Sequence, residues 1–196
     1  MEVKKFLIPI EIIPRHVHLS EKHWCELFGE KSEPQVLQQL SQRDQVVLKE
    51  TVKIVGSKKN NLEDVCIVGG WRKQTQVEIS ETEAVVLGLN PPIRLSGRLS
   101  KTPGAKLIGP AGSVVLKQGI IIPVSHLHLN IKEAERFGLR QGELLSLGIV
   151  GRNGLILKNI LARVHPSFRL SLHITQETAA RAWLTANNKA VFFKTI

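Results

Sequence analysis

Tyrosine is missing from the 196 residues altogether, and cysteine occurs only at Cys25 and Cys66. The scarcity of cysteine excludes a disulfide framework, which needs several paired residues. It also argues against a zinc finger, whose ligands include clustered cysteines. Cys25 falls in the amphipathic run WCELF and Cys66 in VCIVGG, so both read as small core residues rather than nucleophiles. The expectation is a reducing, cytoplasmic setting. No apolar run approaches the roughly 18 residues that span a bilayer, so no membrane partner is expected. The N-terminal stretch MEVKKFLIPIEI is basic and then apolar, but Pro9 and Glu11 interrupt it and no small-residue cleavage site follows, so a signal peptide is not expected. A net charge of +10 favours polyanionic partners, yet the charges are dispersed, with pairs such as Lys58-Lys59 but no basic block. With tyrosine absent and Phe and Trp mostly in apolar runs, the exposed aromatic platform of a single-strand binder is lacking; nucleic acid is not expected as a partner.

What the chain does contain is a series of short apolar stretches, among them FLIPIEII, QVVLKETVKIVG, DVCIVGG, GIIIPV and GLILKNILARV. They are rich in Val and Ile and bounded by Gly, Pro, Asn or Ser, the signature of strands. Gly109–Ser113 and Gly151–Gly154 read as hairpin turns. Helical segments are few and short. The expected class is mainly β, with β-barrels capped by short α-helices. Residues 30–50, polar with one Leu-bearing piece, read as an inserted, flap-like excursion.

One pattern occurs four times: Val17-His18-Leu19-Ser20, Val77-Glu78-Ile79-Ser80, Leu127-His128-Leu129-Asn130 and Leu172-His173-Ile174-Thr175. Each joins a strand-like tripeptide to a favoured helix N-cap. Ser80 with Glu83, and Asn130 with Glu133, have capping-box spacing, and Leu19 with Trp24 the spacing of a hydrophobic staple. Gly29, Gly88 and Gly138 sit where helix C-caps belong. Along a strand, side chains alternate faces, so His16 shares a face with His18, and His126 with His128. Five histidines and Glu78 thus suffice for two metal ions with open positions, the arrangement of a catalytic centre. The plain alternative is a set of strand histidines satisfied by backbone bonds. His23 is expected on the exposed face of its helix and His165 at a turn. Arg72 lies six residues before Glu78 and shares its face if the strand is continuous. A guanidinium there can hold a phosphate bidentately, or simply be solvated or paired.

The stretches RHVHLS (15–20), RKQTQVEIS (72–80), PPIRLSG (91–97), LIGPAGSV (107–114), HLHL (126–129), ERFGL (135–139) and FRLSLHI (168–174) together resemble the PduL-type phosphate acyltransferases, the phosphate propanoyltransferase or phosphotransacylase family. The resemblance runs over nearly the whole chain. It implies reversible transfer of a short acyl group between coenzyme A and inorganic phosphate, with two zinc ions per site. Carried over by motif, His16, His18 and Glu78 serve one zinc and His126, His128 and His173 the other, while Arg72 handles phosphate. It implies two β-barrels with the active site between them: residues 6–15 with 124–196, and 16–29 with 51–123. Acyl-CoA and phosphate are the implied partners, and a homo-oligomer is compatible with them. The residues that contact coenzyme A are not assigned by it. Direct attack of phosphate, without an acyl-enzyme, suits the absence of an activated cysteine. Two departures stand out: Ser125 where the family commonly has Arg, and Pro14 where Asn is common. Family members packaged in microcompartments carry an amphipathic N-terminal helix; here a strand-like run begins by Phe6, so shell association is not expected. On the residues alone, a dinuclear zinc hydrolase and a basic β-barrel nucleic-acid-binding protein stay open as alternatives.

Overall fold

The computed structural model describes residues 6–42, 45–58 and 60–192. Lys4 and Lys5 of the N-terminal stretch, Arg43 and Asp44 of the polar excursion, Lys59 of the Lys58-Lys59 pair and Phe193 of KAVFF lie outside them. The chain is mainly β, with four short helices among the described residues. In order, these are β1 (Ile8–Ile13), β2 (His16–His18), α1 (Glu21–Phe28), β3 (Val36–Gln39), β4 (Val46–Val55), β5 (Asn61–Val68), β6 (Gln76–Glu78), α2 (Glu81–Leu87), β7 (Ile93–Arg94) and β8 (Lys106–Ile108). There follow β9 (Ser113–Val115), β10 (Ile120–Pro123), β11 (His126–Leu129), α3 (Ile131–Phe137), β12 (Leu144–Ile149), β13 (Ile156–Val164), β14 (Ser171–Thr175), α4 (Gln176–Arg181) and β15 (Lys189–Phe192).

These elements form two compact units, one of residues 6–13 and 124–192 and one lying between Pro14 and Pro123. In the first, β1-β14-β11-β13-β12-β15 close into a barrel, because β15 pairs antiparallel with both β12 and β1. Its core includes Ile8, Ile10, Leu127, Leu129, Leu147, Leu172 and Ile174. In the second, the sheet runs β7-β10-β6-β2-β5-β4-β8-β9 and its path does not close among the described residues. Its core, with Val17, Leu19, Trp24, Ile54, Ile67, Val77 and Ile79, is separate. Of the two expected barrels, one is closed and one is an open, curled sheet. The polar excursion is not free of the sheet either: β3 pairs antiparallel with β4, and residues 46–50 belong to β4.

Alternation explains the strands: in β1, Ile8 and Ile10 are buried while Pro9 is exposed. The caps explain where the helices start. Ser20, Ser80, Asn130 and Thr175 each hold extended backbone and accept from the amide three residues on, satisfying a helix N–H that would otherwise have no partner. The capping boxes at Ser80/Glu83 and Asn130/Glu133 form in full. Gly88 and Gly138 end their helices in the left-handed region. Both expected turns are hairpins, β8–β9 and β12–β13. The first packs beneath the end of α1, where Ala111 N–H donates to Leu27 O at 2.9 Å. A Cβ on Gly109 would lie 2.5 Å from that same carbonyl, so only glycine fits.

Candidate active site

Each of the four repeated tetrapeptides runs from a strand end into a capped helix. In the second unit β2 and β6 pair antiparallel, placing His16 opposite Glu78 and His18 opposite Gln76. In the first, β11 and β14 pair antiparallel, placing His126 opposite His173 and His128 opposite Ser171. The backbone ladders therefore deliver three donors to one face in each unit. The donors gather as His16/His18/Glu78 and His126/His128/His173, each set with its donor atoms within 4.8 Å of one another. All six are buried, so the donor face is covered as fully as the core face.

In the first of these clusters, His16 Nε2 lies 3.2 Å from His18 Nε2 and 3.6 Å from Glu78 Oε2, and Glu78 Oε1 is 4.0 Å from His18 Nε2. The other ring nitrogens are anchored on carbonyls, His16 Nδ1 on Pro14 O and His18 Nδ1 on Val68 O. That leaves the two Nε2 atoms and a carboxylate converging on one point. Burial, with the neighbouring His16 and Arg72 adding to it, holds His18 well below the ordinary imidazole pKa against the opposing Val68 bond. It is therefore a neutral donor at pH 7. Gln76, which sequence reading passed over, orients the carboxylate. Its Oε1 accepts from Gly97 N–H at 2.6 Å, which fixes the amide so that Nε2 donates to Glu78 Oε1 at 2.5 Å and to Ser96 Oγ at 2.8 Å.

In the second cluster His126 Nδ1 is anchored on Val124 O at 2.9 Å. Burial foremost, then His173, lowers the His126 pKa to about 3, with Arg163 adding to the shift and the Val124 bond and Glu11 opposing it. His128 is pushed further down by burial, His173, His126 and Arg163. Both of its ring nitrogens are buried without a hydrogen-bond partner. An unsatisfied buried polar group costs about 1–3 kcal/mol, a cost that a bound metal removes. Imidazole donors suit a transition metal, so both clusters fit the metal role.

Arg72 is not on a continuous strand. The chain bends at Lys73–Gln74 and β6 starts only at Gln76, so the same-face argument from spacing does not apply. A loop instead brings Arg72 back: its N–H donates to Leu19 O at 3.0 Å, and its exposed guanidinium is close enough to His18 to act on its ionisation. His23 is half-buried rather than exposed, with Nδ1 2.7 Å from Thr75 Oγ1, which also accepts from Ser20 N–H. Thr75 thus ties the start of α1 to the start of β6. His165 is exposed beside a turn, 2.8 Å from Ser167 Oγ. Glu11 and Arg163 were also missed. Their signal was cross-strand register: Glu11 pairs with His173 and Arg163 with His128.

Each unit thus carries, on a β scaffold, one buried cluster of side chains that could hold a metal ion. Residues 9–185 match the family profile described as phosphate propanoyltransferase. The phosphate propanoyltransferase of Thermotoga maritima is 40% identical over 182 residues, covering 92% of this chain and 86% of that protein. That of Sebaldella termitidis is 38% identical over 171 residues (87% and 80%), and that of Listeria monocytogenes 37% over 172 residues (88% and 80%). The chain belongs to the phosphate propanoyltransferase family and is an acyltransferase, which decides between the enzyme classes that the residues alone left open. Among the described residues no helix is long and apolar enough to cross a membrane.

Proposed function

We propose that this chain transfers a short acyl group, propanoyl in the first instance, between coenzyme A and inorganic phosphate, and that it does so with two bound zinc ions. The observation that carries the metal part is the pair of buried donor triads, with His128 lacking any other partner for either ring nitrogen. His16, His18 and Glu78 would hold one zinc and His126, His128 and His173 the other, supplying Lewis-acid polarisation of the thioester carbonyl and a soft seat for the thiolate.

The protein's own part is positioning. Gln76, fixed by Gly97 and Ser96, holds the Glu78 carboxylate in one orientation. Burial keeps His18, His126 and His128 unprotonated. Arg72, exposed and near His18, orients phosphate and offsets its charge, so that a phosphate oxygen attacks the thioester carbonyl. The new bond is C–O, the bond broken is C–S, and the thiolate leaves as coenzyme A. No group on the protein is acylated; Cys25 packs against the core. The net charge of +10 suits the phosphates of both substrates.

The test is thiol release from propanoyl-CoA by zinc-loaded protein with and without phosphate. Release that requires phosphate, forms acyl phosphate in equal amount and stops on chelation is the expected result. Release without phosphate would overturn the transfer reading. Full activity after complete removal of metal would overturn the zinc reading.

A further inference from the structure

Arg15 stands one residue before His16 and is not among the donors of either centre. Its Nη1 donates to Glu83 Oε1 at 3.1 Å and its Nη2 to Glu63 O at 3.1 Å, while Nε is buried. Glu63 lies on β5, and Glu83 is the capping-box residue of α2, whose Oε2 accepts from Ser80 N–H at 2.8 Å. One guanidinium thus ties the entrance of β2 both to β5 and to the start of α2. His16 follows Arg15 directly and Glu78 stands two residues before Ser80, so this brace spans the two ends at which the donor set is held. Both terminal nitrogens are engaged by the protein's own oxygens, which commits the planar fork to the fold.

The first unit supplies the comparison. His126 stands opposite His173 as His16 stands opposite Glu78, and beside Leu161 on β13 as His16 stands beside Cys66 on β5. The match extends along the strands: Asp64 and Asn159, each two residues before that partner, are both left-handed, with φ of 51° and 58°. Carried across in this register, Arg15 corresponds to Ser125, Glu63 to Lys158 and Glu83 to Thr178. Thr175 still caps α4 through Thr178 N–H, as Ser80 caps α2 through Glu83 N–H. What the first unit lacks is the pair of charges, and both members are missing together. An arginine that bound substrate would need no acid at the helix start. One that braces the fold does, because a half-buried guanidinium requires a charge-assisted partner.

We propose that Arg15 is a positioning residue of the His16/His18/Glu78 centre. Paired with Glu83, it holds the start of β2 against the start of α2 and thereby sets how tightly that centre keeps its metal. Ligands hold their geometry only as well as the groups behind them do, and such outer partners are worth about 10–100-fold in affinity. It follows that Ser125 marks the loss of a brace whose acid is also gone, and not of a group that touches coenzyme A or phosphate. The inference rests on the two-zinc reading above.

The experiment is chelator competition for zinc on the wild type, Arg15→Gln, Glu83→Gln and the double variant, with the KM for phosphate and for propanoyl-CoA measured at saturating zinc. Glu83→Gln keeps an oxygen for the Ser80 amide, so the cap survives. The expected result is that each single variant weakens one of two zincs about 10–100-fold and leaves the other zinc and both KM values unchanged. The double variant should be no weaker than the singles, the mark of two residues acting as one pair; additive losses would overturn the pairing. Two zincs bound by the wild type and held equally by Arg15→Gln would overturn this inference alone, whether or not a KM rises. Ser125→Arg, with and without Thr178→Glu, keeps the question answerable if the Arg15 variants do not fold. By itself Ser125→Arg adds an unpaired cation to its unit and should weaken one zinc; with Thr178→Glu added, that zinc should be held as in the wild type. A lower KM for phosphate in Ser125→Arg by itself would overturn the brace. A wild type that binds no zinc would overturn the two-zinc reading and this inference with it.

Discussion

In the second unit β2 lies between β5, parallel to it, and β6, antiparallel to it, while β6 is flanked in turn by β10, again parallel. In the first unit β11 lies between β13, parallel, and β14, antiparallel, and β14 is flanked by β1, parallel. Five strands thus repeat the same order and sense, with β4 beside β5 matching β12 beside β13. The units differ in how the outer strands meet. One strand, β15, bridges β12 and β1 and closes the barrel, whereas β4 passes to β8, β10 passes to β7, and the sheet stays open. Closure is therefore not needed to set the donors; two ladders around a three- or four-residue strand are enough. What varies between the units is the third donor and its neighbours: Glu78 with Gln76 and Ile121 in one, His173 with Ser171 and Glu11 in the other.

The sharpest way to break this equivalence is to remove matching ligands. His18→Ala and His128→Ala should each lose one zinc equivalent and more than about 100-fold in acyl transfer, because even outer partners of a metal are worth about 10–100-fold; metal analysis beside a thiol-release assay checks both. A variant that keeps two zincs would end the equivalence. Next come the residues opposite those histidines. Gln76→Ala frees the Glu78 carboxylate and should weaken that zinc about 10–100-fold, measured by competition with a chelator. Ser171→Ala removes only a hydroxyl 3.0 Å from His173 Nε2 and should cost less. Arg72→Lys keeps the charge but loses the planar fork, and should raise the KM for phosphate about 10-fold or more while leaving both zincs in place, one charge-assisted bond being worth about 1.5–3 kcal/mol.

Acid should separate the units more gently. His126 has its pKa lowered to about 3, and His128 moves the same way, while the second unit has the buried His18 well below its ordinary value and the half-buried His23 lowered less, by burial. A group with fewer bound protons folded than unfolded stabilises the fold fully above its unfolded pKa, about 6.5, and that stability is lost as pH falls towards the folded value. The metal-free first unit should therefore lose stability more steeply than the second between pH 6.5 and 4, read by hydrogen exchange resolved by residue. The smallest difference concerns the caps. Ser80→Ala and Asn130→Ala break matching capping boxes and should cost about 1 kcal/mol each, equal within error in denaturant unfolding.

Much of this is legible in the sequence. The HxH pairs, the caps at Ser20, Ser80, Asn130 and Thr175, and the hairpins at Gly109 and Gly151 depend on neighbours within a few residues, where strand alternation and helix capping act. Residue type alone singles out Arg72, since spacing along a strand says nothing once the chain bends at Lys73–Gln74. Gln76, Glu11 and Arg163 were invisible. Their roles come from hydrogen bonds and strand registers that join segments far apart in the chain.

The sequence by itself determined the strand-helix units, the six side chains that gather in the two clusters and the family, because all three are carried by short-range pattern and residue type. The tertiary structure alone decided that Gln76 holds the Glu78 carboxylate, that one sheet closes while its counterpart does not, and that a glutamate on β1 meets a histidine on β14. The physical reason is ladder register: a one-residue slip would turn each of these side chains to the opposite face, and long-range pairing settles that register.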